Sequence, residues 1–140
     1  AELVGRFVIE RRPLPAIAAG WAITLGALLG VAAHFANVLP DLEDDRVTGV
    51  RGLPHRLGRR PSGVVTYLVL GAASVVALLG PGGTIGWLQI AGLVLGLALA
   101  VAGILLVLTR PPSRLLFQLI IAAALVDVAL LAIAGQRLMA

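Results

Sequence analysis

The stretch DLEDDRVTGVRGLP, residues 41–54, packs four acids into its first five positions and follows them with arginines and glycines. Long apolar runs flank it on both sides. Upstream, residues 14–39 carry no formal charge, and downstream, residues 62–79 carry none. About 20 apolar residues suffice to cross a bilayer as a helix. A charge cluster tethered between two such runs is costly unless it sits at a wet, functional surface. The rest of the chain reads as a scaffold for this segment.

Working outward, the apolar segments fall at 14–39, 62–79, 84–108 and 115–135, with a motif loop at 41–61. Pro40 ends the first, because proline lacks an N–H and disfavours helical angles at the residue before it. Gly80-Pro81-Gly82-Gly83 separates the second from the third, and Thr109–Arg114 separates the third from the fourth. Residues 1–13 read as a loop or the tail of a preceding helix. The expected architecture is all-α, a multi-pass transmembrane helix bundle forming a single membrane domain. Composition agrees. Apolar residues make up 59% and charged residues 13% of the 140, against about 25% charged in soluble domains. The absence of cysteine excludes disulfides and thiolate metal sites. The net charge of +4 comes entirely from arginine among the bases, but these arginines gather at segment ends, and aromatics are only 4%. Membrane orientation explains them more simply than nucleic acid does, so no nucleic-acid partner is expected.

Five arginines fall in 41–61, two in 109–114 and none in 80–86. The positive-inside rule puts the first two on the cytoplasmic face of the plasma (inner) membrane. Arg11, Arg12 and Arg137 count against this. Gly92 and Gly96 have the small-xxx-small spacing of close helix packing. Trp21 is a candidate for the membrane interface, and Trp87 lies near the start of the third segment.

If the segment from 41 is helical, Asp41, Asp44, Asp45 and Thr48 share one face, and Glu43 and Arg46 point elsewhere. Three carboxylates on one face need a cation to remain ionised together. Mg²⁺ suits them, because it characteristically takes one or two carboxylates with phosphate oxygens and water. Arg51 and its neighbours would hold phosphate directly. Gly49 and Gly52 let the backbone turn and approach closely. The bland reading is a solvated loop of self-paired charges, and on physics alone the two stand near parity.

The run from Asn37 through Asp41, Asp45, Arg46, Gly49, Arg51 and Leu53 to Arg56-Leu57-Gly58 resembles the second aspartate-rich motif of the UbiA superfamily of intramembrane prenyltransferases. The resemblance implies the C-terminal part of a nine-helix bundle. It implies transfer of a prenyl group from a prenyl diphosphate to an aromatic or lipid acceptor of the 4-hydroxybenzoate or quinone-precursor type. It further implies Mg²⁺ held by Asp41 and Asp45 with help from Asp44, diphosphate contacted by Arg51, and substrate contacts from Asn37, Arg46 and Arg56. The family's first motif, an Asn-x-x-x-Asp-x-x-x-Asp pattern, is expected in missing N-terminal helices of the same protein. The chain alone is therefore expected to be inactive.

Other residues carry less. His34 is open between cavity lining and packing. Asp127, an acid inside a span, reads as a hydrogen bond to a neighbouring helix rather than a substrate or proton contact. His55, Arg56, Arg59 and Arg60 form a basic cluster after the motif, of which Arg59 and Arg60 read as snorkelling to headgroups. The competing functions are a non-catalytic membrane subunit or transporter fragment and, lower, a CDP-alcohol phosphotransferase, whose motif wants Gly where Asn37 stands.

Overall fold

The structure is a computed structural model that describes residues 16–139, without the side chains of 16–19, Glu43 and 137–139. The readings made for residues 1–13, Arg11 and Arg12 among them, lie outside the described residues. Four long helices dominate: α1 (Ala16–Val38), α4 (Arg59–Leu79), α5 (Trp87–Thr109) and α6 (Arg114–Met139). Each is long and apolar enough to cross a membrane. No strand occurs among the described residues. This is an all-α transmembrane bundle, as the segment lengths and the low charge require.

Helix α4 is the inner member. It packs against α1, α5 and α6, whereas α1 barely touches α6. Accordingly 56% of its apolar window is buried inside the protein, against 22% for each of the others. The outward faces of α5 and α6 expose Val94, Leu95, Val101, Leu105, Leu125 and Val128. Such a continuous apolar surface suits lipid and would be an aggregation liability in water.

Close packing of α4 depends on missing side chains opposite it. A Cβ at Gly103 of α5 would collide with the ring of Tyr67, and one at Gly96 would collide with Ser74. At Gly92 it would come within 2.6 Å of Leu130 on α6. The Gly92–Gly96 pair thus serves two different neighbours, α6 and α4. By contrast, a Cβ at Gly26 or Gly30 of α1 would meet nothing within 4 Å. The buried polar side chains on α4 are satisfied locally or across helices. Thr66 Oγ1 donates to Ser62 O (2.9 Å) and Tyr67 OH donates to Leu116 O of α6 (2.5 Å). Ser74 Oγ donates to Asp127 of α6.

The segment between α1 and α4 is not open loop. It folds as a 3₁₀ turn (Leu39–Asp41), helix α2 (Leu42–Thr48) and helix α3 (Leu53–Leu57). Pro40 sits inside the 3₁₀ turn. Gly49 ends α2 with φ +79°, and Gly58 joins α3 to α4 with φ +84° and ψ 178°, a region that glycine alone enters readily.

Candidate functional site

Helices α2 and α3 form a small cap on one end of the bundle. Two contacts seat it. Pro54 is buried, and its carbonyl accepts from Ser62 Oγ (3.0 Å) and from the Gly58 N–H (3.0 Å). This fixes α3 on the first turn of α4. Arg59, Arg60, Arg110 and Arg114 stand at the same end, because α4 and α6 begin there and α5 finishes there.

Within the cap, Asp45 is the anchored carboxylate. His55 Nε2 lies 2.9 Å from Asp45 Oδ2. The other ring nitrogen, Nδ1, accepts the Gly52 N–H at 3.1 Å. Since Nδ1 accepts, Nε2 carries the proton given to Asp45. A backbone amide thus orients an imidazole, and the imidazole orients the carboxylate. The sequence reading passed over His55 as one of a basic cluster. Its signal is local: His55 stands three residues after Gly52, the N-cap of α3, and accepts the N-cap amide as the Glu or Gln of a capping box usually does.

Asp41 and Asp44 are exposed, and neither has a side-chain partner among the described residues. Asp41 is the N-cap residue of α2 at the end of the 3₁₀ turn, with φ −97° and ψ 0°, and its side chain makes no capping hydrogen bond. Thr48 does not join the acids, because its hydroxyl turns back to the Asp45 carbonyl at 3.1 Å. Among the described residues no three His, Cys, Asp or Glu side chains gather as a ligand group for a metal. A hard cation that needs only one or two carboxylates and completes its shell with water and phosphate still fits this donor set.

Arg46 on α2, Arg51 in the link to α3 and Arg56 on α3 are exposed, and none is ion-paired among the described residues. Three exposed guanidinium groups on the cap, within a few residues of the acids, supply charge for an anion. Asn37 and His34 are exposed on the last turns of α1, with Asn37 one turn before Asp41. Asn37, Asp41 and Asp45 also have the Asn-x-x-x-Asp-x-x-x-Asp spacing reserved above for the other family motif. Spacing alone therefore does not tell the two motifs apart. The basic and glycine-rich continuation from Arg46 to Gly58 is what distinguishes this one.

Comparison with known families finds a match to the UbiA prenyltransferase family over residues 3–120. No curated protein and no solved structure matches the chain. Four membrane-length helices, an acidic and basic cap at one end, and a family match over most of its length place this chain in the UbiA prenyltransferase family, whose general activity is prenyl transfer.

Proposed function

We propose that the cap 41–58 is one side of a diphosphate clamp in a Mg²⁺-dependent prenyltransferase that passes a prenyl group to an aromatic or lipid acceptor of the quinone-precursor type. The observation that carries this is Asp45, oriented by His55 in a cap that also holds an exposed Asp41 and three arginines without an ion pair among the described residues. Asp41 and Asp45 would hold the metal, with Asp44 assisting. Bound there, Mg²⁺ would neutralise charge on the departing diphosphate.

The chain's own residues do the rest. Arg51 and Arg56 bind phosphate oxygens by charge-assisted hydrogen bonds, and Arg46 adds to the local field. Asn37 contacts substrate from the end of α1. His55 holds Asp45 in place, as outer partners hold ligating carboxylates generally. The cap sits over the membrane end of an apolar bundle, so a diphosphate on the cap leaves the prenyl chain to the hydrocarbon side.

A complete clamp needs a second carboxylate set. Outside 41–45 the sequence offers only Glu2, Glu10 and Asp127, which are isolated from one another. We therefore assign the second set to further helices of the same nine-helix bundle. The seven arginines at the cap end, Arg46, Arg51, Arg56, Arg59, Arg60, Arg110 and Arg114, favour a cytoplasmic placement of that end at the inner membrane.

Titration with geranyl diphosphate, with and without Mg²⁺, tests the reading in a protein that carries both carboxylate sets. Binding should require Mg²⁺ and be lost in Asp41→Ala. Metal-independent binding, or an unaffected Asp41→Ala, would support a non-catalytic membrane subunit instead. Full turnover by the 140 residues alone would overturn the half-clamp assignment.

A further inference from the structure

A cavity of about 470 Å³ opens at the cap end between α1, α4, α5 and α6. It does not include the motif carboxylates. Its mouth carries Arg59, Arg60, Arg110 and Arg114, and its wall below them is Val107, Leu116, Phe117 and Ile120. No acid lines it, and none of the four arginines is ion-paired among the described residues. The one hydroxyl deep in the wall, that of Tyr67, is already committed to the Leu116 carbonyl. Its donor is therefore spent, and the wall below the arginines is otherwise apolar.

The cavity is graded from charge to hydrocarbon along the membrane normal. Arg114 and Ile120 lie six residues apart on α6, and a helix rises 1.5 Å per residue, so the wall descends roughly 9 Å below the charged rim. A ligand that matches must be anionic at one end and apolar at the other. Arginine holds phosphate oxygens without any metal. Four like charges gathered around one opening are unfavourable until an anion enters between them.

We propose that this cavity binds an anionic phospholipid of the surrounding bilayer, its phosphate among Arg59, Arg60, Arg110 and Arg114 and the start of an acyl chain against Phe117 and Ile120. The site is separate from the Asp41–Asp45 clamp and needs neither Mg²⁺ nor the prenyltransferase reading. A prenyl diphosphate shares the phosphate-plus-tail chemistry, but the lining lacks the carboxylates that would bring a metal to it. A zwitterionic lipid would bring its own cation against the arginines.

The test is native mass spectrometry of the 140-residue chain released from dodecyl maltoside in EDTA, with dioleoyl phosphatidylglycerol or dioleoyl phosphatidylcholine added. The proposal expects phosphatidylglycerol to be retained about tenfold more tightly, since each cation at a membrane surface contributes measurably to binding an anionic lipid. The preference should fall about tenfold in Arg60→Gln/Arg114→Gln and persist in Arg51→Gln/Arg56→Gln. Equal retention of the two lipids by the unaltered chain would overturn the proposal without any variant. So would equal loss in both double variants, which would mean diffuse attraction to a basic face. Geranylgeranyl diphosphate displacing phosphatidylglycerol at equimolar concentration in EDTA would assign the cavity to the prenyl substrate and overturn the lipid.

Discussion

His55 donates from Nε2 to Asp45 Oδ2 at 2.9 Å across ten residues of sequence, while its Nδ1 accepts the Gly52 amide at 3.1 Å. The contact closes α3 back onto α2 and leaves one carboxylate oxygen of Asp45 free for other work. A carboxylate that must meet a metal in one geometry gains from such a partner, because the ordering is already done when the metal arrives. Loss of an outer partner typically costs 10–100-fold in metal affinity or activity. His55→Ala should therefore raise the Mg²⁺ concentration needed for half-maximal geranyl diphosphate binding by about 10–100-fold. His55→Gln, which keeps a donor on a side chain of comparable reach, should recover part of it. An unchanged Mg²⁺ requirement in His55→Ala would reduce the contact to a structural tie.

Asp41 and Asp45 should separate by their effect on stability. Asp41 is exposed with no side-chain partner among the described residues, so Asp41→Asn should leave the thermal midpoint where it was. Asp45→Asn keeps an oxygen to accept from His55, so the cap should also survive, although less firmly. Both should weaken Mg²⁺-dependent diphosphate binding by at least the roughly 10–100-fold of an outer-partner loss. Chelation with EDTA should do the same to the unaltered protein and nothing further to Asp41→Asn. A variant that loses binding together with its melting transition would point to folding instead of ligation.

How far the sequence foretold this site depends on the range of the interaction. The four apolar runs and the acidic cluster between them are one-dimensional patterns, and the helices follow them because bilayer length and backbone satisfaction leave few alternatives. The direction of the acids is another matter. Treating residues 41–48 as one α-helix placed Asp41, Asp44, Asp45 and Thr48 on one face. Asp41 closes the 3₁₀ turn around Pro40 and lies just before α2, and the Thr48 hydroxyl turns back on its own helix. His55 escaped notice because its role depends on α3 folding back toward α2, a tertiary fact. The Ser74–Asp127 pair was half legible. Asp127 announced that it needed a partner, but Ser74 lies 53 residues away and nothing local marks it.

Gly103 should be the least replaceable of the helix glycines. Its missing side chain makes room for the ring of Tyr67, one of the most deeply buried residues of α4. A ring held on α6 through its hydroxyl has little freedom to retreat. Gly103→Ala is therefore expected to cost about 1–3 kcal/mol, as overpacking does in closely packed cores. Gly26→Ala is the matched control, since a Cβ there meets no atom within 4 Å. It should be neutral or slightly stabilising, because alanine loses less backbone entropy in a helix. Unfolding in mixed micelles followed by circular dichroism reads both, and a Gly103→Ala protein as stable as Gly26→Ala would mean that the α4–α5 contact is looser than described.

Ser74 and Asp127 join the inner helix to the last one through the hydrogen bond that Ser74 Oγ gives to Asp127 Oδ1. Both side chains are buried, and Asp127 Oδ2 has no partner of its own. Ser74 is thus the one side chain that satisfies Asp127 among the described residues. Ser74→Ala should strand the carboxyl group and cost roughly 1–3 kcal/mol, the penalty for a buried polar group left unpaired. In an Asp127→Leu background the same substitution removes only the local contact of Ser74 Oγ with the Leu70 carbonyl at 3.3 Å and should cost much less. The coupling between the two sites should fall near the 0.6 kcal/mol average for polar contacts between membrane helices and not above about 1.7 kcal/mol. Gly96→Ala supplies an independent approach, because a Cβ there collides with Ser74 and would push the hydroxyl off Asp127. Its cost should shrink once Ser74 is alanine. Strict additivity of Ser74→Ala and Asp127→Leu in micelle unfolding would show that the pair contributes nothing to holding α4 against α6.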